Sequence, residues 1–164
     1  MFDVMKELNN NFYKWFGNSK VLDTNNQPIV MYHKSRSKEL FDEFRLENIE
    51  KNQYNHHYGI YFVNAHYSHN ISYIGDGVEY YVYLKIENPF MIFDFNNQPQ
   101  DMLGQKLIFI DVSKEYCEDL KRKGYDGIII KSNHYDQYIV FEPSQIKSVE
   151  NNGDYKAETN NIFN

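Results

Sequence analysis

The sequence contains a single cysteine, Cys117, among 164 residues, so neither an intramolecular disulfide nor a thiolate zinc cluster can form. No apolar run approaches the length of a membrane span, and the N-terminus lacks the basic-then-apolar order of a signal peptide. A formal net charge of −6 argues against a broad basic face of the kind that holds duplex nucleic acid. From these absences we expect a cytoplasmic protein that has no membrane partner.

Common nucleotide and metal motifs are absent as well. There is no Gly-rich phosphate loop, no Walker pattern and no Rossmann fingerprint, so a bound nucleotide requires another architecture. The pairs His56-His57 and His66-x-x-His69 have spacings compatible with a metal site, but no carboxylate or thiolate completes a conventional ligand set. We therefore expect no metal centre.

The sequence is instead rich in aromatic residues, which make up 17% of the chain and include 15 Tyr and 12 Phe. Such amphipathic rings can build the core of a chain with few aliphatic runs, and the short apolar segments predict a sheet-rich fold. Apolar periodicity and capping residues predict helices over 2–16, about 65–73 and 113–123. The predicted strands lie at 29–33, 59–62, 80–86, 90–93, 127–131 and 137–142.

Two segments show neither the helical nor the strand spacing of apolar residues. Residues 45–58 are crowded with Asn, Lys and Glu and predict a loop or an irregular helix. Residues beyond Val149 are almost all polar, so we expect one domain over 1–149 and a disordered tail over 150–164.

Three short segments at the predicted strand ends are candidates for chemistry: residues 32–36, 59–62 and 135–142. Taken alone, His33 fits a catalytic base, a metal ligand or a core histidine bonded to backbone, and the last of these is the commonest. Tyr61, in an apolar strand, fits a core residue by default. Each segment is therefore unspecific by itself.

Their order and spacing together are specific. The runs Tyr-His-Lys-Ser-Arg at 32–36, Gly-Ile-Tyr-Phe at 59–62 and Gln-Tyr-Ile-Val-Phe at 137–141 resemble the His-Tyr-Glu clade of ADP-ribosyltransferases. That clade includes poly(ADP-ribose) polymerases and diphtheria toxin.

Other runs resemble the compact transferase domains of bacteriophages and mobile elements. They are Trp-Phe-Gly-Asn-Ser-Lys-Val at 15–21, Tyr-Asp-Gly-Ile-Ile at 125–129 and Phe-Glu-Pro-Ser-Gln-Ile-Lys-Ser at 141–148. The resemblance extends over about residues 12–149. It implies an α+β fold with a split antiparallel β-sheet, an N-terminal helix, and further helices that flank a cleft for NAD.

The resemblance also implies roles for single residues. His33 would hydrogen-bond the adenine-side ribose of NAD, and the backbone N–H and C=O of Lys34 would hold the nicotinamide carboxamide, with Ser35 beside them. Most relatives have glycine after the histidine, so Lys34 is a departure. A backbone contact tolerates it only if the side chain turns away from the ligand.

An aromatic clamp is implied for the nicotinamide ring. Tyr61 would stack on one side of the ring, and a second aromatic residue from the following helix would cover the other side. Tyr73 is our candidate for this second residue, with Tyr67 as a substitute.

The third element departs from the family pattern because Gln137 occupies the position that is usually glutamate. An amide can hydrogen-bond the 2′-hydroxyl of the nicotinamide ribose, but it carries no charge and cannot act as a base. Glu142 is a less favoured substitute, since strand alternation places residues 137 and 142 on opposite faces.

The resemblance thus implies an NAD-dependent enzyme that transfers single ADP-ribose units to an unidentified protein or nucleic-acid acceptor, or to water. We expect His33, Tyr61 and Gln137 to be catalytic and residues 45–58 to be nearest the acceptor. Lys34 and Gln137 also fit an inactive module that binds NAD or ADP-ribose. A toxin or nuclease that acts without NAD is a third hypothesis.

Overall fold

The computed structural model describes residues 7–46, 59–70, 76–110 and 112–164. The described α-helices are α1 (Asn10–Phe16) and α2 (Lys114–Arg122), and two 3-10 helices cover Ala65–Asn70 and Pro143–Gln145. The strands are β1 (Met31–Lys34), β2 (Ile60–Asn64), β3 (Glu79–Leu84), β4 (Pro89–Phe95), β5 (Gln98–Asp101), β6 (Gly127–Ser132), β7 (Gln137–Val140) and β8 (Ile146–Ser148). The predicted α+β class is confirmed.

All eight strands belong to one mixed sheet with the order β5-β4-β6-β7-β2-β1-β3-β8. The β4–β6 pair is parallel, and the other neighbouring pairs are antiparallel. The ladder between β1 and β2 has only two residue pairs, Met31 with Asn64 and Tyr32 with Val63. This ladder is the shortest among the described strands.

Capping residues fix the helix ends. The side chain of Asn9 accepts a hydrogen bond from the backbone N–H of Phe12, so α1 begins at Asn10, and Gly17 ends it with a φ of 56°. Residues 2–6 of the predicted helix lie outside the described residues. Ser113 caps α2 as predicted, and Gly124 follows with a φ of 91°. In the described ranges, neither α-helix is long and apolar enough to cross a membrane.

Alternation along β7 divides the core between the two faces of the sheet. Tyr138 and Val140 pack in a cluster with residues of β1, β2 and β3, while Ile139 and Phe141 pack in a second cluster with β4, β6 and α2. Each face of the sheet is thus covered, and the rings of α1 form a third cluster against β3.

The C-terminal residues differ from the disordered tail that their composition predicts. Ile162 is fully buried and Tyr155 is 6% exposed. The buried ammonium of Lys147 donates hydrogen bonds to the carbonyl oxygens of Thr159, Asn161 and Asn164 at 3.1, 2.9 and 2.7 Å. Buried apolar side chains and one buried cation therefore hold this polar segment against the rest of the protein. We call it the C-terminal strap (residues 151–164).

The runs at residues 15–21, 125–129 and 141–148 meet at one corner of the molecule. The indole Nε1 of Trp15 donates to the carbonyl oxygen of Ser144 at 3.2 Å. The Gln145 amide donates to the carbonyl oxygens of Lys85 and Asp126 at 2.7 and 2.8 Å, and its oxygen accepts two backbone N–H groups at the end of β7. These runs hold the fold together rather than line the cleft.

Candidate active site

An open cleft with a volume of about 1210 Å³ lies beside the short β1–β2 ladder. Five of the residues predicted to form the site line it: His33, Lys34, Ser35, Tyr61 and Gln137. They come from three strands and from the loop after β1, and are separated by up to 104 residues in sequence. The fold therefore brings the three candidate segments together.

Tyr61 and Gln137 share one face of the sheet. Tyr61 pairs with Ile139 across β2 and β7, and residues paired across a ladder point to the same side. Gln137 precedes Ile139 by two residues and so lies on that side as well. We call this side the cleft face. Among the described residues, the Gln137 amide has no hydrogen-bond partner, which leaves it available to a ligand.

The His33 ring crosses from β1 to β2. Its Nδ1 atom lies 2.7 Å from the backbone carbonyl oxygen of Tyr61, and its ring packs edge-on against Phe44 at a centroid distance of 5.2 Å. A carbonyl oxygen only accepts, so Nδ1 carries a proton and the neutral ring keeps an acceptor lone pair on Nε2. Burial lowers the pKa of His33, although the Tyr61 carbonyl opposes this, and the neutral form is therefore favoured.

The loop after His33 is fixed by backbone contacts to the start of β3. The Ser35 N–H donates to the Val78 carbonyl at 2.9 Å, and the Ser35 hydroxyl accepts from the Ser37 N–H at 2.9 Å. A Cβ atom on Gly77 would lie 1.7 Å from the Ser35 carbonyl oxygen. The sequence thus needs glycine at 77 because the two backbones touch, and this contact sets the position of one cleft wall.

Glu142, the less favoured catalytic candidate, faces elsewhere. It forms an ion pair with Lys121, and its side chain caps the 3-10 helix in a reciprocal arrangement with Gln145. It does not belong to the described residues that line the cleft. Its carboxylate therefore already has structural partners outside the candidate site.

The second half of the aromatic clamp is not placed. Tyr73 lies outside the described residues, as do residues 47–58 of the segment expected to be nearest the acceptor. Tyr67, the substitute, is 36% exposed on the Ala65–Asn70 helix and does not belong to the described residues that line the cleft. Its ring packs against His66 at a centroid distance of 5.2 Å.

Sequence reasoning did not single out several charged residues of the cleft, among them Arg36, Arg45 and Asp94. Arg36 and Arg45 line it without an ion-pair partner among the described residues. Asp94, near the end of β4, also lines it, and its Oδ1 atom is buried without a hydrogen-bond partner. Arg36 belongs to the family-like run at 32–36, whereas the aperiodic segment around Arg45 and the aromatic strand around Asp94 contain no pattern that indicates a site.

Comparison with known proteins gives one match. The family model described as "ADP-Ribosyltransferase in polyvalent proteins" matches residues 23–155, a range that includes every described residue of the cleft. No curated protein and no solved structure matches the chain. The mixed α+β sheet is consistent with the fold of that family.

Proposed function

This chain belongs to the family of ADP-ribosyltransferases in polyvalent proteins, and we propose that it breaks the nicotinamide–ribose bond of NAD and transfers single ADP-ribose units to an acceptor. The observation that carries the proposal is that His33, Tyr61 and Gln137 line one cleft. The family match supports the general reaction class, and the arrangement of these three side chains supports the proposal that this chain carries out that reaction.

His33 would anchor the adenine-side ribose. With its proton on Nδ1 and bonded to the Tyr61 carbonyl, the ring can accept a ribose hydroxyl hydrogen through Nε2. The Lys34 backbone would hold the nicotinamide carboxamide. Lys34 ends β1 opposite Glu79, so a regular strand positions its backbone groups despite the departure from glycine. Ser35 follows in a loop that hydrogen bonds already fix.

The charged and stacking parts of NAD also find complements. Tyr61 is half-buried against the core, so its ring is held in place for stacking on the nicotinamide. Arg36 and Arg45 supply positive charge for the pyrophosphate, which guanidinium groups bind well. Their positive charge in the cleft offsets the net charge of −6, which would otherwise repel an anionic ligand.

Gln137 would hold the 2′-hydroxyl of the nicotinamide ribose. Its amide can orient the ribose as the bond to nicotinamide breaks, but it gives less stabilisation to the positive charge on the sugar than a carboxylate would. It also cannot remove a proton from an acceptor. Catalysis then rests mainly on positioning, and this favours single transfer over chain elongation.

A second function is favoured by the same two departures. Lys34 and Gln137 fit a module that keeps the NAD pocket without turnover. Calorimetric titration with NAD, beside an assay of released nicotinamide, separates the two functions. NAD binding with release of nicotinamide supports the enzyme. NAD binding without release supports the binding module. If the protein neither binds NAD nor releases nicotinamide, both proposed functions are wrong. Labelled NAD in a cell lysate then shows whether the label enters protein or nucleic acid.

A further inference from the structure

The cleft face extends beyond Gln137 to a carboxylate. Gln137 pairs with Ile130 across β7 and β6, and Ser132 lies two residues further along β6 on the same side. Asp94 pairs with Ser132 across the parallel β4–β6 ladder. Asp94, Ser132 and Gln137 therefore share the cleft face, and all line the cleft.

The Asp94 carboxylate accepts no hydrogen bond from the described residues. Its Oδ1 atom is buried without a partner, and no group in the described ranges donates to either oxygen. Burying a carboxylate oxygen without a donor is unfavourable, so such groups in folded proteins usually have a ligand, ion or donor to bind. Since the carboxylate belongs to the cleft lining, a donor that enters the cleft can satisfy it.

The separation of the strands gives Asp94 a role different from that of Gln137. Strand β6 lies between β4 and β7, so two strand spacings, about 10 Å in total, separate the two backbones. Asp94 therefore lies beside the position of Gln137 and not at it. Since both residues line the cleft, a ribose held by Gln137 and an acceptor bound by Asp94 would lie side by side in it.

We propose that Asp94 binds the acceptor, and that this acceptor carries a guanidinium group. The proposal rests on the ADP-ribosyl transfer proposed above. A guanidinium is planar and permanently charged, and it can donate to both oxygens of a carboxylate at once. A phosphate backbone would instead be repelled by Asp94, so the observations favour an arginine side chain of a protein over a nucleic acid.

The transfer step balances with Asp94 as proton acceptor. The bond between ribose C1′ and the nicotinamide nitrogen breaks, and its electron pair stays on nicotinamide, which leaves neutral. A guanidinium nitrogen forms the new bond to C1′ and loses one proton. The Asp94 carboxylate takes this proton and passes it to solvent, which is the task that the Gln137 amide cannot perform.

The test uses agmatine as a guanidinium probe and putrescine as the matching ammonium probe. Binding of each to the full chain is measured by NMR titration, and transfer of labelled ADP-ribose from NAD to each is measured separately. The variants are Asp94→Asn, which removes the charge with little change in shape, and Asp94→Glu, which restores it. Asp119→Asn is the control, since Asp119 pairs with Lys123 on α2 away from the cleft.

We expect Asp94→Asn to weaken agmatine binding on the order of 10- to 100-fold, with partial recovery in Asp94→Glu and no change in Asp119→Asn. Equal agmatine binding by Asp94→Asn and the unsubstituted protein overturns the proposal, and so does equal use of putrescine. Agmatine binding that depends on Asp94 in a protein that releases no nicotinamide supports the guanidinium site and overturns only the proposed NAD chemistry.

Discussion

The Nδ1 atom of His33 lies 2.7 Å from the backbone carbonyl oxygen of Tyr61. This contact joins β1 and β2 beyond the last residue pair of their ladder, where backbone hydrogen bonds no longer connect them. The bond requires a proton on Nδ1, and the neutral ring then offers Nε2 to a ligand. One side chain therefore connects the two strands and keeps an acceptor nitrogen in the neutral ring.

The protonation of His33 predicts an acid-sensitive fold. Burial lowers the pKa of folded His33 below the ordinary value of about 6.5 that applies to the unfolded chain, so the unfolded state binds more protons between these two values. The free energy of unfolding should therefore fall as the pH is lowered through this window. Urea unfolding at a series of pH values measures it, and His33→Gln should reduce the slope. His66→Gln, which removes an exposed imidazole outside the described cleft lining, is the control.

Tyr61→Ala should abolish NAD binding while the protein remains folded. The stacking surface is lost, but the side chain is only half-buried, so the cost in stability should stay below the roughly 3–5 kcal/mol of a full core truncation. Tyr61→Phe should keep most of the affinity. Calorimetry with NAD and thermal melting measure both effects, and Tyr13→Ala, at an exposed tyrosine of α1 outside the described cleft lining, is the aromatic control. Unchanged affinity in a folded Tyr61→Ala protein contradicts the stacking role.

Gly77→Ala should weaken NAD binding from outside the cleft. The added Cβ atom would lie 1.7 Å from the Ser35 carbonyl oxygen, so the loop at one cleft wall must shift. Gly124→Ala is the control, since its Cβ atom meets nothing within 4 Å and its positive φ costs about 1 kcal/mol of stability. If both variants bind NAD equally well, the position of the Ser35 loop does not matter for the ligand.

Lys147→Met should release the C-terminal strap. Three carbonyl oxygens lose their donor, and we expect the free energy of unfolding to fall by roughly 2–4 kcal/mol. Burial lowers the pKa of Lys147 to about 8, so the ammonium is still mostly charged at pH 7. Limited proteolysis should cut the strap in Lys147→Met but not in Lys156→Met, which removes an exposed lysine of the same segment.

The strap also supports a wall of the cleft. The Ile162 N–H donates to the Asp42 carbonyl at 2.8 Å, and the Asn161 amide donates to the Asp42 carboxylate at 2.9 Å. Asp42 and Phe44 line the cleft. A strap released in Lys147→Met should therefore weaken NAD binding as well. Unchanged NAD affinity beside increased cleavage would show that this wall does not need the strap.

The sequence predicts the elements of this fold better than their long-range contacts. Ser113 and Gly124 mark α2 because capping depends on neighbouring residues alone. Burial of the strap could not be predicted, since Ile162 is a single apolar residue in a polar segment and gains its contacts from residues far away in sequence. The parallel β4–β6 pair is equally non-local.

The sequence likewise predicts some residues of the candidate site and not others. His33, Tyr61 and Gln137 were found because each lies in a short run that resembles a known family, whereas Asp94 has no such run around it. Its place beside Gln137 is visible only in the structure, where β6 brings it onto the face that carries Gln137. The family-like run at residues 141–148 includes Gln145, whose hydrogen bonds show a structural function. Runs that resemble the family therefore include residues that stabilise the fold as well as residues of the candidate site.

Gln137→Glu should raise the release of nicotinamide from NAD. It places a carboxylate where the family usually has one, with little change in shape, and negative charge at this point stabilises the positive charge that develops on the ribose. A tenfold increase corresponds to about 1.4 kcal/mol in the barrier, which one charge-assisted hydrogen bond can supply. Gln137→Ala should lower the rate, because the ribose hydroxyl loses its partner. Steady-state assays of nicotinamide release measure all three proteins.

Glu142→Gln is the matched control for this experiment, since it removes a carboxylate that pairs with Lys121 outside the described cleft lining. It should lower stability slightly, by no more than about 1 kcal/mol for an exposed ion pair, and leave nicotinamide release unchanged. If Glu142→Gln abolishes release while both Gln137 variants match the unsubstituted protein, the catalytic position belongs to Glu142. Its carboxylate would then have to leave Lys121 and reach the cleft face from the far end of β7, a rearrangement visible as a changed Lys121 resonance on addition of NAD.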